Sequence, residues 1–135
     1  MPSGWNWRSL KSVNEEDLKG QNTWEWKFED GKQITVYRRP QGFITSHVHA
    51  GSDPSKNPER LLLISGKARM TFFHPAQEDK CLREIICSAI GGPQEITIQP
   101  GISHRFEALT DVEYIEYRIT HFDPNNPDTL SAKLP

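Results

Sequence analysis

Arg60-Leu61-Leu62-Leu63-Ile64-Ser65-Gly66-Lys67-Ala68-Arg69-Met70-Thr71-Phe72-Phe73-His74 is the stretch on which the fold turns. Two short apolar runs of strand length flank Ser65-Gly66, a turn signal, so the segment reads as strand, tight turn and strand. The same grammar continues in both directions. Toward the C-terminus, strand signals recur over 83–90, 95–99, 104–108 and 112–120, with Gly91-Gly92-Pro93 and Pro100-Gly101 between them. Toward the N-terminus, 43–49 resumes an extended pattern after Pro40-Gln41-Gly42, and 34–39 returns from the turn Asp30-Gly31. Trp24, Trp26 and Phe28 alternate with Glu25 and Lys27, the pattern of a strand whose aromatic face is buried. Residues 50–58, rich in Gly, Ser, Asp, Asn and Pro, form a loop. Many short strands with short connections predict an antiparallel sandwich or barrel, because a parallel sheet needs helical crossovers.

The 135 residues suffice for one hydrophobic core. Residues 1–22 read as a lead-in, 23–121 as the barrel and 122–135 as a tail; within the lead-in, Asn14 caps a short helical turn that Gly20 ends. Charged residues at 25% and hydrophobic residues at 35% argue against disorder. A formal net charge of −2 predicts no general attraction to nucleic acid or anionic membrane. No apolar run approaches the roughly 20 residues that cross a bilayer. The first residues lack the basic-then-apolar order of a signal peptide, which predicts a cytoplasmic protein with Cys81 and Cys87 reduced.

His47 and His49 are the first residues that carry chemistry. One residue apart on a strand, they project from the same face, where two imidazoles can converge on one ion. Glu59 supplies a carboxylate at the start of the next strand, and Pro100-Gly101-Ile102-Ser103-His104 is a tight turn that delivers a third imidazole. Glu59 has a second reading as an ion-pair partner or loop cap. A set of three nitrogens and one oxygen suits Fe(II), Mn(II), Ni(II), Co(II) or Zn(II) better than calcium.

The segment 42–49, with Glu59 and Gly66 following, resembles the first conserved motif of the cupins, and 100–104 resembles the second. Two departures accompany the match: Glu59 lies farther from the His-x-His pair than is usual, and Gly101 follows Pro100 directly. The resemblance implies a cupin-type antiparallel β-barrel, or jelly roll, in which His47, His49, Glu59 and His104 bind one divalent transition metal. Residues 60–68 are also similar to cupin domains of sugar-phosphate-processing proteins.

A metal so held leaves positions open to water or substrate. The expected function is a metal-dependent enzyme acting on a small polar or anionic metabolite, of an oxygenase or an isomerase/epimerase kind. The alternative is a non-enzymatic cupin that binds a small molecule or carbohydrate. Tyr37 is a candidate hydrogen-bond donor, Arg39, of the same strand parity, a candidate anion clamp, and His74 a candidate acid or base. Arg69 and Arg118 are further possible anion ligands, and Phe106 is read as core first and pocket wall second. An uncapped sheet edge makes a homodimer possible.

Overall fold

The computed structural model describes residues 12–14, 23–74, 77–120, 123, 125 and 128–131. Its strands are β1 (Ser12–Asn14), β2 (Thr23–Lys27), β3 (Gln33–Arg39), β4 (Ile44–His49), β5 (Glu59–Ser65), β6 (Lys67–His74), β7 (Gln77–Ser88), β8 (Gln94–Ile98), β9 (His104–Ala108), β10 (Val112–Arg118) and β11 (Thr129–Ser131). The expected helical turn after Asn14 falls on 15–20, outside the described residues; Asn14 itself ends β1.

The strands form two antiparallel sheets, ordered β1-β2-β3-β10-β5-β8 and β11-β4-β9-β6-β7. Neighbours such as β3, β10 and β5 are distant in sequence, so the chain passes repeatedly between sheets, as a jelly roll does. Among the described strands none of one sheet pairs with the other, so the barrel is open at its seams. β1 and β11 lie at sheet edges: β1 pairs with β2, and β11 pairs Thr129 with His49 and Ser131 with His47.

One core joins the sheets. Leu61 and Leu63 on β5, Ile96 and Ile98 on β8, and Val112 and Tyr114 on β10 meet Ala68 and Met70 on β6, Cys87 on β7, and Phe106 and Ala108 on β9. The burial follows the two-residue period: Leu61 and Leu63 are inside, while Arg60 is exposed between Glu59 and Leu61. Covering Leu63 and Met70 contributes about 2 kcal/mol each relative to exposure. Gly66 makes the β5–β6 turn possible. At φ +85°, its missing Cβ leaves room for Asp111 O, which would lie 2.1 Å from that carbon.

The aromatic face of β2 is not the core face, contrary to the expectation from its alternation. Thr23 is buried and Glu25 points into the interior cavity, whereas Trp24 and Trp26 are only half-buried. Trp24 pairs with Val36 and Trp26 with Ile34 on the opposite face, and the Arg38 guanidinium lies 5.0 Å over Trp24. Alternation separates the two faces of a strand without saying which faces inward; here aromatic and β-branched neighbours support each other outside, and a polar-lined cavity lies inside. The cysteines are free, Cys87 buried and Cys81 exposed. Among the described residues no helix is long and apolar enough to cross a membrane.

Candidate metal centre

The strand register assembles the histidines. His47 on β4 lies directly opposite His104 on β9, and His49 follows two residues later on the same face. Their ring centroids are 4.3 Å apart for His47–His104, 4.8 Å for His47–His49 and 5.6 Å for His49–His104. Glu59 reaches them from β5 in the other sheet, so the cluster bridges the two layers. Ligand atoms from His47, His49, Glu59 and His104 lie within 4.8 Å of one another, which makes this a group that can hold a metal ion.

Glu59 arrives despite the long loop because that loop is fastened at both ends. The Asp128 carboxylate accepts from the Gly51 and Ser52 amides at 3.0 and 3.1 Å and from the Ser52 hydroxyl at 2.6 Å. The Gly101 amide donates to His49 O at 2.9 Å, tying the second motif to the end of β4. Farther along, Asp53 accepts from the Ser55 amide, and Ser55 Oγ accepts from the amides of Ile119 and Thr120 just beyond β10. The insertion is thus docked on the body, and the extra chain length does not displace the carboxylate.

Several features of the site fit a cation. His104 Nδ1 lies 2.9 Å from Ile102 O, a carbonyl that can only accept, so Nδ1 carries the proton and Nε2 presents a lone pair. That Nε2 lies 3.5 Å from Glu59 Oε1, and both atoms are buried without a hydrogen-bond partner. Two lone pairs facing each other in a dry interior are unfavourable without a cation or proton between them. Burial first, then the neighbouring His104, pushes the His47 imidazole down to about 3, so it is neutral and able to ligate at ordinary pH. Burial would raise the Glu59 carboxyl, but its charged partners, the Lys56 ammonium among them, prevail and hold it below the usual carboxylate range.

Glu59 is also one end of a charge chain through the interior. Lys56 Nζ lies 2.7 Å from Glu59 Oε2 and 2.7 Å from Glu116 Oε2. Arg118 Nη1 is 3.6 Å from Glu116 Oε1, and its Nη2 is hydrogen-bonded to Asp53 Oδ2. Burial alone would discharge Lys56, but the two carboxylates raise its pKa and keep it an ammonium. Glu59 therefore both faces the imidazoles and forms the ion pair its second reading anticipated.

The cluster opens on a cavity of about 350 Å³. Leu61, Met70 and Phe106 belong to the core and also line this cavity, so Phe106 fills both roles. Its other lining includes Thr35, Tyr37, Arg39, Tyr114 and Glu116 from β3 and β10. Tyr37 stacks on Tyr114 at 4.8 Å, and burial, followed by the charge of Glu116, raises the Tyr37 phenol well above its ordinary value. The phenol therefore stays protonated at ordinary pH. Arg39 donates to Arg38 O and Thr23 Oγ1, both at 2.9 Å, with its guanidinium 5.1 Å over Tyr37 and 5.2 Å over Phe43. Arg38 points outward to Glu113, as opposite parity predicts. Arg69 pairs with Glu84 and Glu107, neither of which lines the cavity. His74 ends β6, and its side chain lies outside the described ones. Lys56 and Glu116 carry no sequence signal as striking as a His-x-His pair. Glu116 was accessible through its parity with Tyr114 and Arg118; Lys56, in a loop, was not.

No family model and no curated protein sequence matches the chain. Solved structures do. CapF with the inhibitor 3-isopropenyl-tropolone aligns with a TM-score of 0.66 and 27% identity, over 99% of this chain and 37% of that one. The capsular polysaccharide assembling protein CapF from Staphylococcus aureus aligns with a TM-score of 0.64 and 25% identity, over 99% of this chain and 34% of that one. Oxalate decarboxylase from Lactobacillus farciminis, in a formate complex, aligns with a TM-score of 0.53 and 13% identity, over 90% of this chain and 33% of that one; this likeness concerns the fold alone. The chain spans about a third of the length of each of these proteins. Together with the two-sheet order, these alignments show the fold of the cupin superfamily. The His/Glu group in its interior fits a metal-binding cupin.

Proposed function

We propose that His47, His49, Glu59 and His104 hold one divalent transition metal, and that the protein is an enzyme acting on a small polar or anionic metabolite of carbohydrate type. The observation that carries the reading is the pair of buried lone pairs on His104 Nε2 and Glu59 Oε1, 3.5 Å apart and facing a cavity. The nitrogen-rich set fits Fe(II), Mn(II), Ni(II), Co(II) or Zn(II). When bound, such an ion supplies Lewis-acid polarisation of a carbonyl or hydroxyl oxygen. The chain's own groups do the rest. Tyr37 donates a hydrogen bond, Arg39 offers fixed positive charge to an anionic group, and Leu61, Met70 and Phe106 form a dry floor.

Isomerase or epimerase chemistry is favoured over oxygenase chemistry by the likeness to a capsular polysaccharide assembling protein along the whole chain. The tropolone inhibitor of CapF places a carbonyl beside a hydroxyl, a pair able to chelate a metal. The same compound is expected to bind this protein when metal-loaded and not when metal-free. The test is elemental analysis after metal loading, followed by two assays: solvent-deuterium incorporation beside the carbonyl of candidate sugars, and oxygen consumption. About one equivalent of metal with deuterium exchange supports the reading. Oxygen consumption moves the protein to the oxygenase class, and metal uptake without turnover makes it a binding protein. Loss of no metal on replacing all three histidines overturns the centre.

A further inference from the structure

Resting on the reading of this cavity as a substrate site, the geometry points to Tyr37 and Tyr114 as paired readers of a hydroxylated carboxylate. Tyr114 with Arg39 takes the carboxylate, and Tyr37 with Glu116 takes a hydroxyl beside it. The two tyrosines lie directly opposite one another on β3 and β10, and both line the cavity, so their rings project inward side by side. The rings stack with centroids 4.8 Å apart and an angle of 18° between their planes, and Tyr114 also packs on Phe106 at 4.9 Å. Among the described residues neither phenol oxygen makes a hydrogen bond. A buried tyrosine ring usually finds a partner for its hydroxyl. Two adjacent hydroxyls without one present a pair of O–H donors to a ligand in the cavity.

The inward-facing neighbours give the two ends of this pair opposite charge. Arg39 follows Tyr37 two residues along β3, its guanidinium 5.1 Å over the Tyr37 ring and held by hydrogen bonds to Arg38 O and Thr23 Oγ1. Glu116 follows Tyr114 two residues along antiparallel β10, directly opposite Thr35, and so lies on the other side of the pair. Burial raises both phenols and keeps them protonated. After burial, the charge that acts most strongly is that of Glu116 at Tyr37 and that of Arg39, in the lowering sense, at Tyr114. Tyr114 beside Arg39 therefore suits an anionic acceptor. Tyr37 beside Glu116 suits a hydroxyl, which accepts from the phenol and donates to the carboxylate. A phosphate monoester would bring nearly two negative charges into a cavity that Glu59 and Glu116 already line, where a carboxylate brings one. Sugar acids have the required chemistry, a carboxylate beside hydroxylated carbons.

The experiment titrates D-glucuronate, D-glucose and D-glucose 6-phosphate into metal-loaded and metal-free protein and compares their affinities. Wild type is expected to bind glucuronate at least about tenfold more tightly than glucose. The preference is expected in both forms, since chelation by a metal does not supply it. Y114F keeps the stacked ring and removes only the hydroxyl; it is expected to bring the two affinities within about threefold of each other. Y37F is expected to weaken both sugars alike, by about threefold or more. A merely structural role would lower the melting temperature of a variant and leave the ratio of affinities alone. Equal affinities for glucuronate and glucose in wild type, binding of neither, a wild-type ratio in Y114F, or tighter binding of glucose 6-phosphate than of glucuronate would each overturn the assignment. Failure of metal uptake with the preference intact overturns the metal centre alone, and a metal-bearing protein without the preference overturns the tyrosine pair alone.

Discussion

Replacing Arg118 by methionine tests whether the interior charge chain holds the two ends of the site together. The guanidinium side chain is 2% exposed and bonds to Asp53 Oδ2, to Thr120 O at 3.2 Å and more loosely to Glu116 at 3.6 Å. R118M keeps most of the volume and removes the charge. Asp53 then keeps the Ser55 amide but loses its buried counter-ion, and breaking a buried pair from one side costs about 3–5 kcal/mol. Glu116 retains Lys56 and adds little to that cost. A chain of this size holds on the order of 7–20 kcal/mol of stability, so R118M is expected to fold with a clearly lowered urea midpoint and an unchanged slope. The arginine and its partner act together. D53N/R118M, which removes both charges, is therefore expected to recover at least about 1 kcal/mol relative to the sum of the single changes. Metal affinity should fall as well, because the loop that delivers Glu59 is tied to β10 through Asp53. A single variant within about 1 kcal/mol of wild type, or single effects that simply add, would refute the claim that this chain is a buried, coupled unit.

Three further outcomes follow from the same structure. G66A is expected to be insoluble or to lose about 3 kcal/mol or more, because a Cβ there would lie 2.1 Å from Asp111 O at a φ of +85°; soluble expression and a melt near wild type would contradict it. H104A is expected to lower Co(II) affinity by more than about 100-fold while a calorimetric titration of H74A, at a residue outside the proposed ligand set, gives the wild-type value. In the metal-free protein His47 is neutral when folded down to about 3, whereas the unfolded chain takes up a proton near the ordinary 6.5. Stability should therefore be flat above that value and fall on acidification below it, by about 1–3 kcal/mol at pH 5. H47Q should flatten that slope between pH 6.5 and 5, where carboxylates titrate little, and an unchanged slope in urea titrations would count against it.

The fold was legible because its local signals agree with one another. Ser65-Gly66 between two apolar runs can make little except a tight turn between two strands, and β5 and β6 stand on either side of it, one in each sheet. The metal candidates were legible for a similar reason: His47 and His49 share parity, and a tight Pro-Gly turn introduces His104. Other parts depend on partners that sequence does not name. β1 and β11 are three residues each and exist through pairing with β2 and β4, so their own composition marks nothing. The inward face of β2 was misjudged because aromatic alternation suits either face, and the decision belongs to the cavity that Glu25 lines. Lys56 escaped notice because loop residues have no period from which an orientation can be read.

The inward faces of the strands explain why a site forms at all in so small a core. On β5 the residues facing in are Glu59, Leu61 and Leu63; on β9 they are His104, Phe106 and Ala108. Each begins with a ligand-type side chain and continues with apolar ones, while antiparallel β10 runs from Val112 and Tyr114 to Glu116 and Arg118. Because β5 pairs antiparallel with β10, the polar ends of the two strands come to the same end of the sandwich. That arrangement concentrates the charged groups where each can find another and leaves the opposite end to Leu63, Ala68, Ala108 and Val112. Moving Glu59 or Glu116 two residues along its strand would keep its parity and bury a carboxylate among side chains that offer it no partner. The polar gradient along each strand, more than the identity of any one ligand, is therefore what lets a core that stabilises the fold also hold a charged centre.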